Sequence, residues 1–271
     1  MKCTVLVDNS PMGAYAGEWG LSIYMEYGGK RLLLDTGASA LFAENAEKMG
    51  IALSQVDFGI LSHAHFDHAD GMDAFFARNQ TAQFYLRAAC RENCYSQKEA
   101  APEYIGIKRG LLAQYAARLQ YVEGTVTLLP GVTLLAHTVP DLAALGKRAH
   151  MFTFEDGHFL PDCFAHEQSL VFETAKGLVI FNSCSHAGAD NIITEVATAF
   201  PGQRLYAIVG GFHLFRSTAA EIHALAARME ATGIERIITG HCTGDNAIAI
   251  LREHFGTRVQ QMYAGMEFEI I

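Results

Sequence analysis

The segment "SHAHFDHADG", Ser62–Gly71, carries three histidines and two aspartates directly after the apolar segment "DFGIL". Residues two apart on an extended chain face the same side, so His63 and His65 can bind one ion together. Asp67 and His68 follow where the chain turns, and they can reach a second ion beside the first. Imidazole and carboxylate groups suit zinc, iron or manganese. The spacing therefore predicts a site for one or two divalent metal ions, with zinc as the preferred metal.

Three more histidines follow predicted strands in the second half of the chain. His186 follows "GLVIFNS", His213 follows "LYAIVGG" and His241 follows "ERIITG". Open α/β sheets bind their ligands outside the carboxyl ends of strands. We therefore expect these three side chains to lie at one sheet edge, together with the first cluster.

The elements that must position these side chains differ between the two halves. In the first half, "LSIYMEYGGKRLLLDTG" predicts a hairpin that turns at its Gly-Gly pair, and "ALFAENAEKMG" predicts a helix that ends at Gly50. In the second half, strands alternate with the helices "NIITEVATAF", "STAAEIHALAARMEATG" and "DNAIAILREHFG", the second of which is capped by Ser217 or Thr218. Such a mixture is typical of helices that cover the faces of two sheets. Residues 72–130 are predicted to be largely helical, most clearly in "KRGLLAQYAARL".

The composition limits the classes of partner. The chain has 271 residues, 50% of them hydrophobic, and a formal net charge of −9. This length fits a single domain over residues 1–271 with one internal insertion. No long run of lysine and arginine is present, so a nucleic-acid partner is not expected. We also expect a cytoplasmic protein without a membrane partner, because no signal peptide or apolar run of membrane-spanning length is apparent and the six cysteines form no disulfide-like framework.

The ordered motifs resemble those of a known family. His-x-His-x-Asp-His after a hydrophobic strand, together with "LLLDTG" at Leu32–Gly37, resembles the metallo-β-lactamase fold superfamily. "EWGLS", "NSCSHAG", "GGFHL" and "GHCTG" occur in that order, and the set is similar to a subgroup of metal-dependent hydrolases related to the archaeal dihydropterin synthase of methanopterin biosynthesis. The resemblance implies an α/β fold, an αββα sandwich with two mixed sheets between helices. It also implies that Asp35 supports the metal loop without binding the metal.

The resemblance further implies a set of metal ligands. The ligands of the first ion would be His63, His65 and His186. The ligands of the second ion would be Asp67, His68 and His241. In a hydrolase Asp67 would also accept a proton, and His213 would lie in the pocket as a substrate-contacting or acid–base group.

Two features of the sequence leave the ligand set open. Many members of the superfamily carry Gly-Asp where this chain has "NSCSH", so Cys184 or His186 must take the place of the bridging aspartate, or the second metal is held more weakly. His166 in "FAHEQSL" is an alternate ligand, and Glu167 beside it is predicted to lie at the surface or the pocket rim. His137 has no spacing partner, and no role is predicted for it.

A predicted insertion at about 88–165 contains candidate substrate contacts. We expect this insertion to be largely helical. Lys108 and Arg109 within it could face an anionic substrate, and a solvated helix start is the competing interpretation.

Together these features predict a metal-dependent hydrolase of the metallo-β-lactamase superfamily that acts on a small anionic substrate, which we expect to carry phosphate. One alternative is a transferase similar to the dihydropterin synthase, which joins a pterin diphosphate to an aryl phosphate. An alternative from another class is a non-catalytic sensor or binding protein that keeps the fold and the metal. The intact ligand motifs favour an enzyme.

Overall fold

The computed structural model describes residues 1–97 and 101–270. Its strands, numbered in chain order, are Lys2–Val7 (β1), Ser22–Tyr27 (β2), Lys30–Leu34 (β3), Phe58–Ile60 (β4), Gln83–Arg87 (β5), Cys94–Ser96 (β6), Glu103–Tyr104 (β7), Leu119–Val122 (β8), Val126–Leu129 (β9), Val132–Ala136 (β10), Met151–Glu155 (β11), His158–Pro161 (β12), Gln168–Thr174 (β13), Gly177–Phe181 (β14), Leu205–Gly210 (β15), Arg236–Thr239 (β16), Val259–Gln261 (β17) and Glu267–Glu269 (β18). Its helices are Leu41–Lys48 (α1), Phe66–Ala69 (α2), Met72–Arg78 (α3), Leu111–Gln114 (α4), Leu142–Ala149 (α5), Ala189–Ala199 (α6), Ala219–Ala231 (α7) and Asp245–Phe255 (α8).

Two mixed sheets form the centre of the fold. The first has the strand order β18-β1-β2-β3-β4-β5-β8, and the second has the order β17-β16-β15-β14-β13-β10-β9. Strands β3, β4, β5 and β8 run parallel to one another, as do β14, β15, β16 and β17. Because parallel neighbours end at the same sheet edge, residues that follow these strands are brought together there.

The burial pattern shows how the layers stack. Val179 and Phe181 of β14 pack into the core between the two sheets, whereas Leu178 and Ile180 pack outward against α6, α7 and α8. This alternation is the two-residue period of a strand that is covered on both faces. On the other side, α1 and α3 cover the outer face of the first sheet. The predicted αββα sandwich with two mixed sheets is therefore confirmed.

Several predicted local elements are also confirmed. The Gly-Gly hairpin joins β2 to β3, and both Gly28 and Gly29 have positive φ angles, of 57° and 76°. Such angles are needed for a tight hairpin turn and favour glycine. Helix α7 begins with Thr218 as its cap, in a capping box with Glu221.

The prediction of a largely helical region was wrong for residues 72–130 and for the insertion at about 88–165. Within the described part of that insertion, α4 and α5 are short, and the segment 88–165 contributes a separate four-stranded sheet of order β12-β11-β6-β7. The alanine-rich segment "LLAQYAARL" has high helix propensity, but β8 begins at Leu119 and pairs with β5, so tertiary pairing ends the helix. Cross-strand packing of Tyr95, Phe154 and Phe159 favours the separate sheet.

Within residues 1–97 and 101–270, none of the helices combines the length and the apolar character that a bilayer-crossing segment requires.

Candidate metal centre

The first cluster lies directly after β4, at the carboxyl end of the first sheet. The chain bends at His63 and Ala64, is extended at His65, which precedes the first residue of α2, and turns into the helix at Phe66. The change explains why His63 and His65 share one side while Asp67 and His68 point to a neighbouring position. All four of these polar side chains are buried.

The three strand-end histidines reach the same edge, as predicted. His186 follows β14, His213 follows β15 and His241 follows β16. His213 and His241 have positive φ angles, of 50° and 48°, in a region that residues other than glycine rarely adopt. Such backbone strain persists where the surroundings hold it, and here the Asp8 carboxylate accepts a hydrogen bond from the His241 amide at 2.8 Å.

His63, His65 and His186 form what we call the first donor group. Their ligand atoms lie within 4.8 Å of one another. The Nε2 atom of each ring is buried and has no hydrogen-bond partner. An unpartnered buried nitrogen costs about 1–3 kcal/mol, so three that converge on one point fit a bound cation.

The hydrogen-bond network of His63 shows which of its nitrogens is free. The Ser62 hydroxyl donates its proton to Asp35 at 2.7 Å, so its oxygen must accept from His63 Nδ1 at 2.8 Å. His63 Nε2 therefore carries a lone pair. Burial, reinforced by nearby imidazoles, holds the pKa of His63 and His186 well below the usual range. Burial and His166 together lower the pKa of His65 to about 3. The first donor group is thus neutral and ready to coordinate an ion.

Asp67, His68 and His241 form the second donor group. Asp67 Oδ2 lies 3.5 Å from His68 Nε2 and 3.4 Å from His241 Nε2. His68 Nδ1 donates to Asp35 Oδ2 at 2.8 Å, and His241 Nδ1 donates to Asn9 Oδ1 at 2.9 Å. Partners of this kind fix the tautomer of a metal-binding imidazole and turn its other nitrogen toward the ion.

The second donor group differs electrostatically from the first. Burial alone raises the pKa of Asp67, but His68 and His241 outweigh it and hold that pKa well below its usual value. Burial lowers the pKa of His68, but Asp67 and Asp35 outweigh it and raise that pKa to about 10. His68 therefore carries a proton that an incoming metal ion must displace.

Asp35 lies where a supporting role requires it. It follows β3 with a φ angle of 58°, and its carboxylate accepts from the Ser62 amide at 2.7 Å as well as from the side chains of Ser62 and His68. The side chain thus joins the loops of both donor groups without facing either cluster of free nitrogens.

Three supporting residues were missed or misplaced by sequence reasoning. Glu167 is buried rather than at the surface or rim, and it accepts hydrogen bonds from the His186 amide at 2.8 Å and from the Ala187 amide at 2.9 Å. Asp8 and Asn9 hold His241, as described above. The available signal was the polar pair directly after the buried strand "CTVLV", the same pattern that identified the histidines.

His166, the alternate ligand, has both ring nitrogens engaged. Nδ1 accepts from the Ala64 amide at 3.2 Å, and Nε2 lies 3.0 Å from Asp162 Oδ2 and 3.6 Å from Cys94 Sγ. These side chains also form a buried group of ligand type with His65. The geometry favours His186 over His166 as the third member of the first donor group, because only His186 offers an unpartnered nitrogen.

Cys184, in the segment "NSCSH", stands beside the second donor group. Its sulfur lies 3.3 Å from His68 Nε2 and 3.4 Å from the sulfur of Cys242. Burial raises the pKa of the Cys184 thiol. Cys184 would therefore offer a soft donor to an ion held by the second donor group.

A cavity of about 350 Å³ opens onto both donor groups. Its lining includes His65, Asp67, His186, His213, Cys184, Cys242, Trp19, Phe66, Phe215, Arg216, Ser96, Glu103, Ile105, Ala149 and Met151. The volume suits a small molecule. His213 faces this cavity as predicted from its strand-end position, and its Nδ1 atom is buried and unpartnered.

Lys108 and Arg109 do not line the cavity. Lys108 Nζ pairs with Asp73 at 2.7 Å, and Arg109 lies over the Tyr104 ring and donates to the Tyr95 hydroxyl at 2.8 Å. Lys108 is therefore paired with an acidic neighbour, and Arg109 interacts with aromatic neighbours. Of the described residues that line the cavity, only Arg216 has an arginine or lysine side chain.

Comparisons with known proteins agree with this fold. The family model for the metallo-beta-lactamase superfamily matches residues 20–157, just over half of the chain. The chain is 26% identical to 7,8-dihydropterin-6-methyl-4-(beta-D-ribofuranosyl)-aminobenzene-5'-phosphate synthase of Methanocaldococcus jannaschii, over 95% of this chain and 90% of the relative. The crystal structure of Tm1679, described as a metal-dependent hydrolase of the beta-lactamase superfamily, superposes with a TM-score of 0.84 at 29% identity and covers 100% of this chain and 99% of its own. Zn²⁺-bound PqqB from Methylobacterium extorquens has the same fold, with a TM-score of 0.59 at 12% identity, covering 100% of both chains.

Proposed function

Since the chain belongs to the metallo-beta-lactamase superfamily, we propose that it is a metal-dependent hydrolase that acts on a small anionic, phosphorylated substrate. One observation carries this proposal. Four imidazole nitrogens, Nε2 of His63, His65, His186 and His241, are buried and have no hydrogen-bond partner, and His65, His186 and Asp67 beside them line the cavity. Hydrogen bonds alone do not account for that arrangement, whereas cations do.

The residues present fit one or two divalent ions. The first donor group would hold one ion, and the second donor group would hold the other. Ring centroids of His63 and His68 lie 4.2 Å apart, so the two groups adjoin. An ion held there would polarise a phosphoryl or carbonyl oxygen and make a water molecule more acidic. The imidazole, carboxylate and nearby thiol donors favour zinc, and iron or manganese are alternatives.

The chain's own side chains have distinct parts in this proposal. Asp67 stays ionised because its pKa is held low, which makes it a weak base but suits it to orient a water molecule through the oxygen that does not face His68 and His241. His213 also lines the cavity, and its ring lies next to that of His186, with the centroids 4.6 Å apart. Its unpartnered Nδ1 is positioned to contact a substrate oxygen or to protonate a leaving group.

A transferase is the second candidate, and the observation that favours it is the similarity over nearly the full length of both chains to the archaeal synthase. In that case the same donor groups would bind a diphosphate and help it to leave, and an aryl carbon or amine would be the nucleophile. A metal-containing sensor or binding protein is the candidate from another class.

Turnover assays with and without added Zn²⁺ test the proposal. The substrates are a phosphomonoester, a phosphodiester, a diphosphate and a neutral lactone, each assayed with the wild type and with His213→Ala. We expect metal-dependent hydrolysis of at least one phosphorylated substrate, with a slower rate in the variant. Diphosphate release only when an aryl amine acceptor is added would support the transferase instead. Stoichiometric metal without any turnover would support the sensor.

A further inference from the structure

One wall of the cavity is formed by exposed aromatic rings. Trp19 is 44% exposed and Phe215 is 38% exposed, and their ring centroids lie 5.1 Å apart in an edge-to-face arrangement. The Trp19 ring also lies 5.4 Å from the ring of His241, so this wall reaches the second donor group. Large aromatic side chains left open to solvent on a cavity wall are suited to stacking on a flat ligand.

The backbone holds these rings in place beside the metal centre. The amides of Leu214 and Phe215 both donate to the Cys242 carbonyl, at 3.0 and 3.2 Å. Gly244 packs so closely that a Cβ atom there would lie 3.0 Å from the Phe215 Cα. On the other side, Glu18 accepts from the Ala38 amide at 2.9 Å and so anchors the segment that carries Trp19. The aromatic wall is thus organised before any ligand arrives.

Arg216 provides a positive charge at the end of this wall. Its guanidinium carbon lies 5.0 Å from the centre of the Phe215 ring, and within the described part of the chain it forms no ion pair with a carboxylate. Glu221, in the next helix, instead accepts hydrogen bonds from the amide and the hydroxyl of Thr218, the N-cap of that helix. A guanidinium without a carboxylate partner on a cavity wall can bind phosphate or carboxylate through two hydrogen bonds.

Glu103 provides the opposite charge on the same cavity. It belongs to β7 of the separate four-stranded sheet, whereas Arg216 follows β15 of the second main sheet. A carboxylate repels an anion, so an anionic group is favoured near Arg216 and disfavoured near Glu103. The charges therefore orient a ligand as well as attract it.

From these observations we propose that the cavity recognises an aryl or heteroaryl phosphate, with the planar ring against Trp19 and Phe215 and an anionic group bound by Arg216. This inference rests on the proposed function and narrows its substrate class. Arg216 takes the part that the sequence had suggested for Lys108 and Arg109. The ring contacts add affinity, and Arg216 fixes the orientation of the ligand relative to the donor groups.

The test is binding of non-hydrolysable probes to the metal-loaded protein. Trp19 is the single tryptophan of the chain, so intrinsic fluorescence reports directly on this wall. Phenylphosphonate supplies the ring and the anion, methylphosphonate supplies only the anion, and benzyl alcohol supplies only the ring. Isothermal titration calorimetry gives the affinity of each probe independently of fluorescence.

We expect phenylphosphonate to quench Trp19 and to bind more tightly than either partial probe. Arg216→Gln should lower the affinity for both phosphonates by about tenfold, the effect expected for loss of a charge-assisted hydrogen bond that is partly screened by water. The affinity for benzyl alcohol should not change. Glu103→Gln should strengthen phosphonate binding. Phe215→Leu should remove the advantage of phenylphosphonate over methylphosphonate. Arg252→Gln, which changes an exposed arginine of α8 outside the cavity lining, is the matched control and should bind all probes as the wild type does.

Wild-type affinity of Arg216→Gln for phenylphosphonate would overturn the inference, and so would equal affinities for the phenyl and methyl probes. Elemental analysis of each variant separates this failure from failure of the proposed function. If metal is bound but Arg216 has no effect, only the recognition model fails. If the wild type binds no metal, the hydrolase proposal fails whatever the probes show.

Discussion

The two donor groups are neighbours, yet their side chains satisfy one another to very different degrees. The first donor group consists of three neutral imidazoles whose Nε2 atoms find no partner. The second contains a carboxylate and a protonated imidazole, Asp67 and His68, whose charges compensate each other, and the Asp35 carboxylate accepts from the other ring nitrogen of His68. The first group therefore needs a cation to be satisfied, whereas the second is partly satisfied without one. We expect the first ion to bind more tightly and with less dependence on pH.

Removal of one ligand from each group gives the largest expected difference. His63→Ala should lower the affinity for the first ion by more than about 100-fold, a larger loss than removal of a supporting partner causes. The affinity for the second ion should change much less. His241→Ala should do the reverse. Metal content after dialysis against a weak chelator measures both occupancies. Full wild-type occupancy in both variants would show that the ligand assignment is wrong.

The pH dependence of metal binding should separate the two groups next. His65 has its pKa lowered to about 3, so it is already deprotonated near neutral pH, and affinity at the first group should be nearly constant between about pH 6 and 8. His68 has its pKa raised to about 10, so it is protonated there, and the second ion must displace about one proton. Affinity at the second group should therefore rise about tenfold for each unit of increasing pH.

Calorimetric titrations with Zn²⁺ in two buffers of different ionisation enthalpy measure these protons. Release of about one proton with the second ion fits His68 alone, and about two would indicate that the Cys184 thiol also ionises and binds. Equal proton release for both ions would contradict the prediction that only the second donor group carries a proton the metal must displace.

Substitution of Asp35 should give a smaller effect of the same kind. Asp35→Asn loses the charged acceptor for His68, so affinity at the second group should fall by about tenfold, with a lesser change at the first. Asp57→Asn, a partly exposed aspartate that pairs with Lys30 away from both donor groups, is the control and should match the wild type. Equal losses at both sites would indicate that Asp35 acts through the overall fold and not through His68.

The sequence predicted the parts of the centre that depend on local spacing. His63, His65, Asp67 and His68 are close in the chain, so a strand followed by a helix start brings them together. Their supports were harder to find because they come from distant segments. Asp8, for example, binds the amide of a residue 233 positions away. Arg216 was overlooked because its significance depends on the cavity that surrounds it, not on its sequence neighbours.

The insertion was predicted less well than the metal edge for a related reason. Strands β6 and β11 are far apart in sequence and pair across the separate sheet. A short helix-prone segment such as 111–118 gives a strong local signal, while the pairing that limits it is not local. Contacts between residues that are distant in sequence therefore determine both which side chains support the donor groups and how the insertion folds.

The smallest expected effect concerns Lys108, whose exposed side chain pairs with Asp73 outside the cavity. Lys108→Gln should leave metal content unchanged and phenylphosphonate affinity within about twofold of the wild type, because exposed ion pairs contribute little. Calorimetry alongside Arg216→Gln gives the direct contrast. A loss as large as that of Arg216→Gln would return Lys108 to the substrate site.

The most direct measurement is the metal content of protein purified without added metal or chelator, followed by Zn²⁺ titration of the chelator-treated protein. Buried, unpartnered nitrogens at two adjoining groups predict between about one and two equivalents of transition metal, with the first equivalent bound more tightly than the second. Less than about a tenth of an equivalent, with no uptake on titration, would contradict the account, because the four free Nε2 atoms would then require another explanation.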